Sequence, residues 1–148
     1  MDKLIQLASA WAGTLGFALL FNVRGRKLLF ASLGGLLAWA AYMLTELHTP
    51  NPYLCAFNAT VVLTLYAEIM AILQKTPVTV FLVSAAIPLI PGAGLYRAMN
   101  CAVHSDWPGF YAQGSYALLF AASMSAGITL TTTVFSLVRM ALRTRIKK

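Results

Sequence analysis

Ile87-Pro88-Leu89-Ile90-Pro91-Gly92-Ala93-Gly94-Leu95-Tyr96-Arg97 ends an apolar run that begins at Val78 and otherwise reads as a membrane helix. Pro88 and Pro91 lack the N–H that an interior helical turn donates, and their rings crowd the carbonyls one turn back. Gly92 and Gly94 then permit backbone angles that other residues resist. Hydrocarbon offers no water to a freed carbonyl, so a break is tolerated only where protein or a water-filled cavity supplies partners. At about 1.5 Å per residue from Val78, Pro88 lies roughly 15 Å deep, near the middle of a ~30 Å hydrocarbon core. A helix interrupted at that depth is a common way to build a solute site in a transporter.

Outward from this stretch, four more runs of about 20 apolar residues are bounded by charge or by Pro and Asn. The chain is 59% hydrophobic and only 10% charged over 148 residues, too apolar for one soluble domain. The expected fold is an all-α integral membrane protein, a single transmembrane domain with spans near 4–23, 28–47, 53–73, 78–99 and 116–138. The fourth span is expected to break over residues 88–94. Ala8-Ser9-Ala10 resembles a signal-cleavage site, but the apolar run continues past it to Val23, so the stretch reads as the first span.

The net charge of +7 invites a nucleic-acid reading, which the placement of the charges rejects. Arg24, Arg26 and Lys27 join spans one and two, Lys75 joins three and four, and a basic tail over 139–148 follows span five. Asp2, Glu46 and Asp106 fall on the opposite side, with Lys3 and the boundary residue Arg97. Excess Lys and Arg mark cytoplasmic loops, so the N-terminus is expected outside and the C-terminus inside a bacterial cytoplasmic membrane, against anionic lipid.

Small residues recur at three-four spacing, at Gln6, Ser9, Gly13 and Gly16 in span one and at Ala31, Gly34, Ala38, Ala41 and Thr45 in span two. Such stripes let membrane helices approach closely. Ser125, Thr129, Thr132 and Ser136 share one face of span five. They serve either as a polar pathway wall or as hydroxyls bonded to their own helix carbonyls.

Pro88-x-x-Pro91-Gly92-x-x-x-Tyr96 resembles the proline-glycine motif of the threonine/serine exporter family. Gly16-Phe17 with Phe21-Asn22, Tyr66-Ala67-Glu68 and Lys75-Thr76-Pro77 are similar to further segments of it. Arg24 stands where relatives often have Pro, which alters the turn. The resemblance covers most of the chain and corresponds to the C-terminal, five-span half of the fused exporters. It implies a small subunit working with a larger membrane subunit that carries the other half. An odd number of spans would give a five-span partner, joined in front, the inverted orientation. The implied substrates are threonine and serine, with succinate the alternative because related two-subunit pairs are associated with its export. A higher oligomer is left open. No cofactor is implied.

Glu68 is the one acid well inside a span, on a stripe with Thr60 and Thr64. An intramembrane carboxyl is costly and faces protein or a wet cavity, so Glu68 is a candidate proton carrier or a partner for a substrate ammonium. The break can present the N–H groups of a half-helix to a carboxylate. Arg97 either guides anions or snorkels to the interface. The candidate pathway set is therefore Pro88, Pro91, Gly92, Gly94, Tyr96, Glu68, Thr64, Asn22 and Arg97. A non-transporting, stabilising subunit is the competing reading.

On the outer side, Cys55 and Cys101 are a candidate disulfide, and Cys101-x-x-His104 with His48 is a weak metal pattern. His104-Ser105-Asp106 holds hydrolase residue types, but consecutive residues do not converge as a nucleophile, base and orienter must. With no Walker loop, dinucleotide fingerprint or zinc-protease pair, an enzyme is not expected.

Overall fold

The computed structural model describes residues 2–146, with side chains described for 3–142; Met1, Lys147 and Lys148, the last two part of the expected basic tail, lie outside them. Six helices follow one another: α1 (Asp2–Leu20), α2 (Arg26–His48), α3 (Pro52–Leu73), α4 (Val78–Ala86), α5 (Gly92–Val103) and α6 (Trp107–Ile146). Among the described residues, α1, α2, α3 and α6 are each long and apolar enough to cross a membrane. The α4–α5 pair, bent by 55°, is long and apolar enough only when taken together, which gives four spans, or five with the pair as one broken span. The all-helical membrane fold with a broken fourth span is therefore as the sequence predicts.

Local chemistry sets the boundaries. Asn51 caps α3 by accepting from the Tyr53 N–H at 3.0 Å, with Pro52 in the first turn. Three helices end in the same motif, with a non-glycine residue in the left-handed region: Asn22 (φ 59°), Lys75 (φ 48°) and Ser105 (φ 57°). In each, the next N–H reaches back five residues, as Val23 to Ala18, Thr76 to Ala71 and Asp106 to Cys101. Span one thus stops at Leu20, short of Val23. The Arg24 Nε–H donates to Asn22 Oδ1 at 2.8 Å, and Gly25 takes φ 67°, so this turn closes without a proline.

α3 is the centre of the bundle, packed on α2, α4 and α6, while α5 lies on α6. Its buried face is a three-four row of small side chains, Ala56, Ala59, Thr60, Leu63, Thr64 and Ala67, all with no exposed surface. In lipid such a row gains by dispersion and close approach, since apolar burial between helices gives little advantage over acyl chains. Ala31, Gly34 and Ala38 of α2 are buried as expected; a Cβ on Gly34 would lie 3.1 Å from the Tyr66 ring. The Tyr66 hydroxyl crosses to α2 and donates to the Phe30 carbonyl at 2.7 Å. Tyr66→Phe should lower the unfolding free energy by about 1 kcal/mol, read by denaturant titration in micelles, with helix content unchanged.

Several expectations are corrected. Gly92 and Gly94 take no positive φ and belong to α5. A 3₁₀ turn over Ile87–Leu89 leads into the break, which is carried by extended Ile90 (φ −61°, ψ 130°) and by Pro91 (φ −76°, ψ 58°). Of the α1 stripe, Gly13 and Gly16 face open space; α1 instead packs through Ala10, Thr14 and Ala18. The fifth span starts at Trp107 because Asp106 caps it, accepting from the Gly109 N–H at 3.1 Å with Pro108 in the first turn. Residues 139–146 of the basic tail continue this helix. On the α6 face the second of the two readings holds for Thr129, which donates to the Ser125 carbonyl, and for Thr132, which donates to Ile128, each at 2.8 Å. The buried Thr131 hydroxyl has no partner among the described residues.

Candidate functional site

At the break the bundle opens into a cavity of about 660 Å³. Pro88, Leu89, Ile90 and Pro91 form one wall, and Ala93, Gly94 and Arg97 of α5 continue it. Trp39 and Tyr42 of α2, Tyr53 of α3, and Gln113, Tyr116 and Phe120 of α6 complete the enclosure. Gly94 is buried because it lets Tyr116 come close: a Cβ there would meet the ring at 3.3 Å. Trp39 stacks on Tyr42 with centroids 5.4 Å apart, and Tyr42, Phe120, Tyr116 and Tyr53 continue the aromatic wall at 5.9–6.4 Å.

The polar lining is rich in donors. Arg97 is exposed at the cavity mouth, and its side chain forms no ion pair or hydrogen bond with any described residue. The Trp39 indole N–H is buried with no partner among them, and Trp39 lies between this cavity and an apolar one beside α1. α5 begins at the cavity with no side-chain cap, so the positive end of its dipole adds to the field. Gln113 and three tyrosine hydroxyls add neutral groups. No acid lines the space among the described residues; Glu46, exposed one turn beyond Tyr42 on α2, is the nearest in sequence. A carboxylate is the solute group that this set can hold.

The cavity brings together Pro88, Pro91, Gly94 and Arg97 of the sequence-derived set. Gly92 does not line it, and Tyr96 points away, 73% exposed. Asn22 sits in the α1–α2 turn. Thr64 is fully buried, its hydroxyl donating to the Thr60 carbonyl at 2.7 Å. Trp39, Tyr42, Gln113, Tyr116 and Phe120 escape sequence reasoning. Their spacing on two helices, Trp39 to Tyr42 and Gln113 to Tyr116 to Phe120, is the available signal, but it fixes only that they share a face.

Glu68 lies elsewhere, about 22 Å along α3 from Tyr53. It is 8% exposed and opens onto a second cavity of about 420 Å³ with Lys75, Thr76, Pro77 and Arg139. Its carboxyl accepts no hydrogen bond and forms no ion pair among the described residues. Of the outer-side residues, Cys55 and Cys101 are both free thiols, which corrects the disulfide expectation. His48 and His104 contact carbonyls of their own helices at 3.0 and 2.9 Å, and no metal-ligating group of three occurs among the described residues.

Four to five apolar helices with a solute-sized cavity at a broken pair define a polytopic membrane protein. The chain belongs to the family described as Threonine/Serine exporter, ThrE, whose model matches residues 6–134. That match contains the break, the cavity lining and Glu68. No curated protein and no solved structure matches the chain.

Proposed function

We propose that this chain is a subunit of a secondary exporter that moves small carboxylate-bearing metabolites, threonine and serine first, out of a bacterial cell across its cytoplasmic membrane. The observation that carries the reading is the cavity at the Ile90–Pro91 break, where Arg97 and the uncapped start of α5 give a positive field. The Lys and Arg distribution supports an outside N-terminus, which puts this cavity in the outer half and Glu68 in the inner half. Outward movement is coupled to proton entry, with Glu68 as the carrier, since it is the one buried acid among the described residues.

The site is shared with a larger membrane subunit bearing the complementary half. The open cavity along α1, where Gln6, Ser9 and Gly13 face Trp39, Ile87 and Pro88 across a space of about 400 Å³, supports this, because small residues suit the close approach of another helix. Export of succinate is the second reading, favoured by the lack of an acid in the central cavity. Flux from proteoliposomes holding both subunits tests these readings. Labelled threonine should leave faster when the receiving side is acidified, and labelled succinate should not. Equal flux with and without the pH gradient overturns the coupling, and preferred succinate flux overturns the substrate.

A further inference from the structure

We infer that the second cavity, bounded by Glu68, Lys75 and Arg139, is a loading site that reads both charges of a zwitterionic α-amino acid before it reaches the broken-helix cavity. This rests on the exporter reading and adds to it a second substrate site at the opposite end of the bundle. The two cavities differ in chemistry. The central one offers a cation and neutral donors but no acid, so it can hold a carboxylate and leaves an ammonium without a counter-charge.

The second cavity offers both signs. Glu68 comes from α3, Lys75 from the α3–α4 turn and Arg139 from α6, so the charges converge from three segments. A buried carboxyl beside two cations would ordinarily pair with one of them. Here the Glu68 carboxyl has no ion pair and no hydrogen bond among the described residues, and neither cationic side chain has one. Three charges are thus held around one space yet apart from each other. Thr76, the remaining polar side chain, spends its hydroxyl on the Gln74 carbonyl at 2.8 Å. Lys75 is itself the left-handed residue of the turn that ends α3, so the backbone there fixes where its side chain departs.

An α-amino acid fits this arrangement, with its ammonium on Glu68 and its carboxylate toward Lys75 and Arg139. The carboxyl that holds an ammonium cannot hold a proton at the same moment. One group thereby serves loading and coupling, with Lys75 and Arg139 the charged groups lining the space beside it.

Equilibrium binding of labelled L-threonine to the two-subunit complex in lipid nanodiscs tests this. Threonine methyl ester, which has the ammonium alone, and 3-hydroxybutyrate, which has the carboxylate alone, serve as competitors. Glu68→Gln should weaken threonine and its ester about ten-fold or more and leave 3-hydroxybutyrate unchanged. Lys75→Gln combined with Arg139→Gln should weaken threonine and 3-hydroxybutyrate and spare the ester. Loss of all three ligands together, or of none, overturns the inference; Glu68→Asp, which keeps the charge, should retain binding if the fold is intact. An aminophospholipid headgroup carries the same pair of charges. Co-purifying lipid that Glu68→Gln strips away, with threonine affinity unchanged, would identify the cavity as a lipid site and overturn the inference. Arg97→Gln separates the two readings. Should it leave flux intact while the Glu68 ligand pattern holds, the central cavity fails and the loading site stands. Lost flux in Arg97→Gln without any Glu68 pattern upholds the central cavity and overturns the loading site.

Discussion

Arg97→Gln should cut carboxylate export from proteoliposomes about ten-fold or more at sub-saturating substrate, with no loss of stability. A hydrogen bond to a charged group contributes roughly 1.5–3 kcal/mol, which corresponds to about 10- to 100-fold in affinity. Among the described residues Arg97 carries the only formal charge lining the central cavity, and it has no partner there to leave stranded. Its removal therefore costs the bound solute and not the fold. Arg97→Lys should recover only part of the flux, because an ammonium is a point charge and cannot match a carboxylate with two parallel N–H groups. An arginine that merely anchors the interface predicts otherwise: Lys would replace it fully, and Gln would leave flux near normal. Trp39→Phe is the companion change. It keeps a ring stacked on Tyr42 and deletes a buried donor that has no partner among the described residues, so thermal stability should hold or improve.

Pro88 and Pro91 are legible in the sequence because a missing N–H acts at the position where it occurs, whatever surrounds it. The start of α6 is where hydropathy misleads: the apolar run begins at Tyr116, whereas the local signal Asp106-Trp107-Pro108, of the same kind as Asn51-Pro52-Tyr53, starts the helix nine residues earlier. Side-chain direction is less accessible. Gly94 serves by its lack of a Cβ against Tyr116, a contact between α5 and α6 that no local pattern encodes. Tyr96 is two residues from Gly94 and faces away, since consecutive helical positions cannot all point at one cavity. The aromatic wall depends on the rotation of α2, α3 and α6 about their axes. In a membrane both faces of a helix are apolar, so hydropathy sets the length of a span and says little about which face packs. The stripe on α1 is legible as a close-packing surface, but not as one left vacant by this chain.

Gly127→Leu should remove most of the stability of the bundle and close both cavities to function. A Cβ at Gly127 would overlap the Thr60 hydroxyl and lie 2.8 Å from the Phe57 carbonyl oxygen and 3.3 Å from Thr60 Cβ. Two of these three obstacles cannot give way. The carbonyl is backbone, and the Thr60 hydroxyl is held by the Ala56 and Phe57 carbonyls at 2.9 Å each. The helices must therefore separate, at the most extensive interface of the bundle, between α3 and α6. Overpacking costs about 1–3 kcal/mol where side chains can adjust, and a stable domain has only about 5–15 kcal/mol in all. Gly127→Ala should sit within that range and Gly127→Leu beyond it, measured by denaturant unfolding in micelles. Thr60→Ala should not rescue either, because the Phe57 carbonyl stays in place. Gly13→Leu is the contrast: nothing lies within 4 Å of its Cβ position, so the isolated chain should unfold as the parent does. Since α6 carries Tyr116 and Phe120 to one cavity and Arg139 to the other, a shift at Gly127 misplaces both linings at once. Equal stability of Gly127→Leu and Gly13→Leu would mean that α6 is not seated on α3 as described, and both sites would lose their common wall.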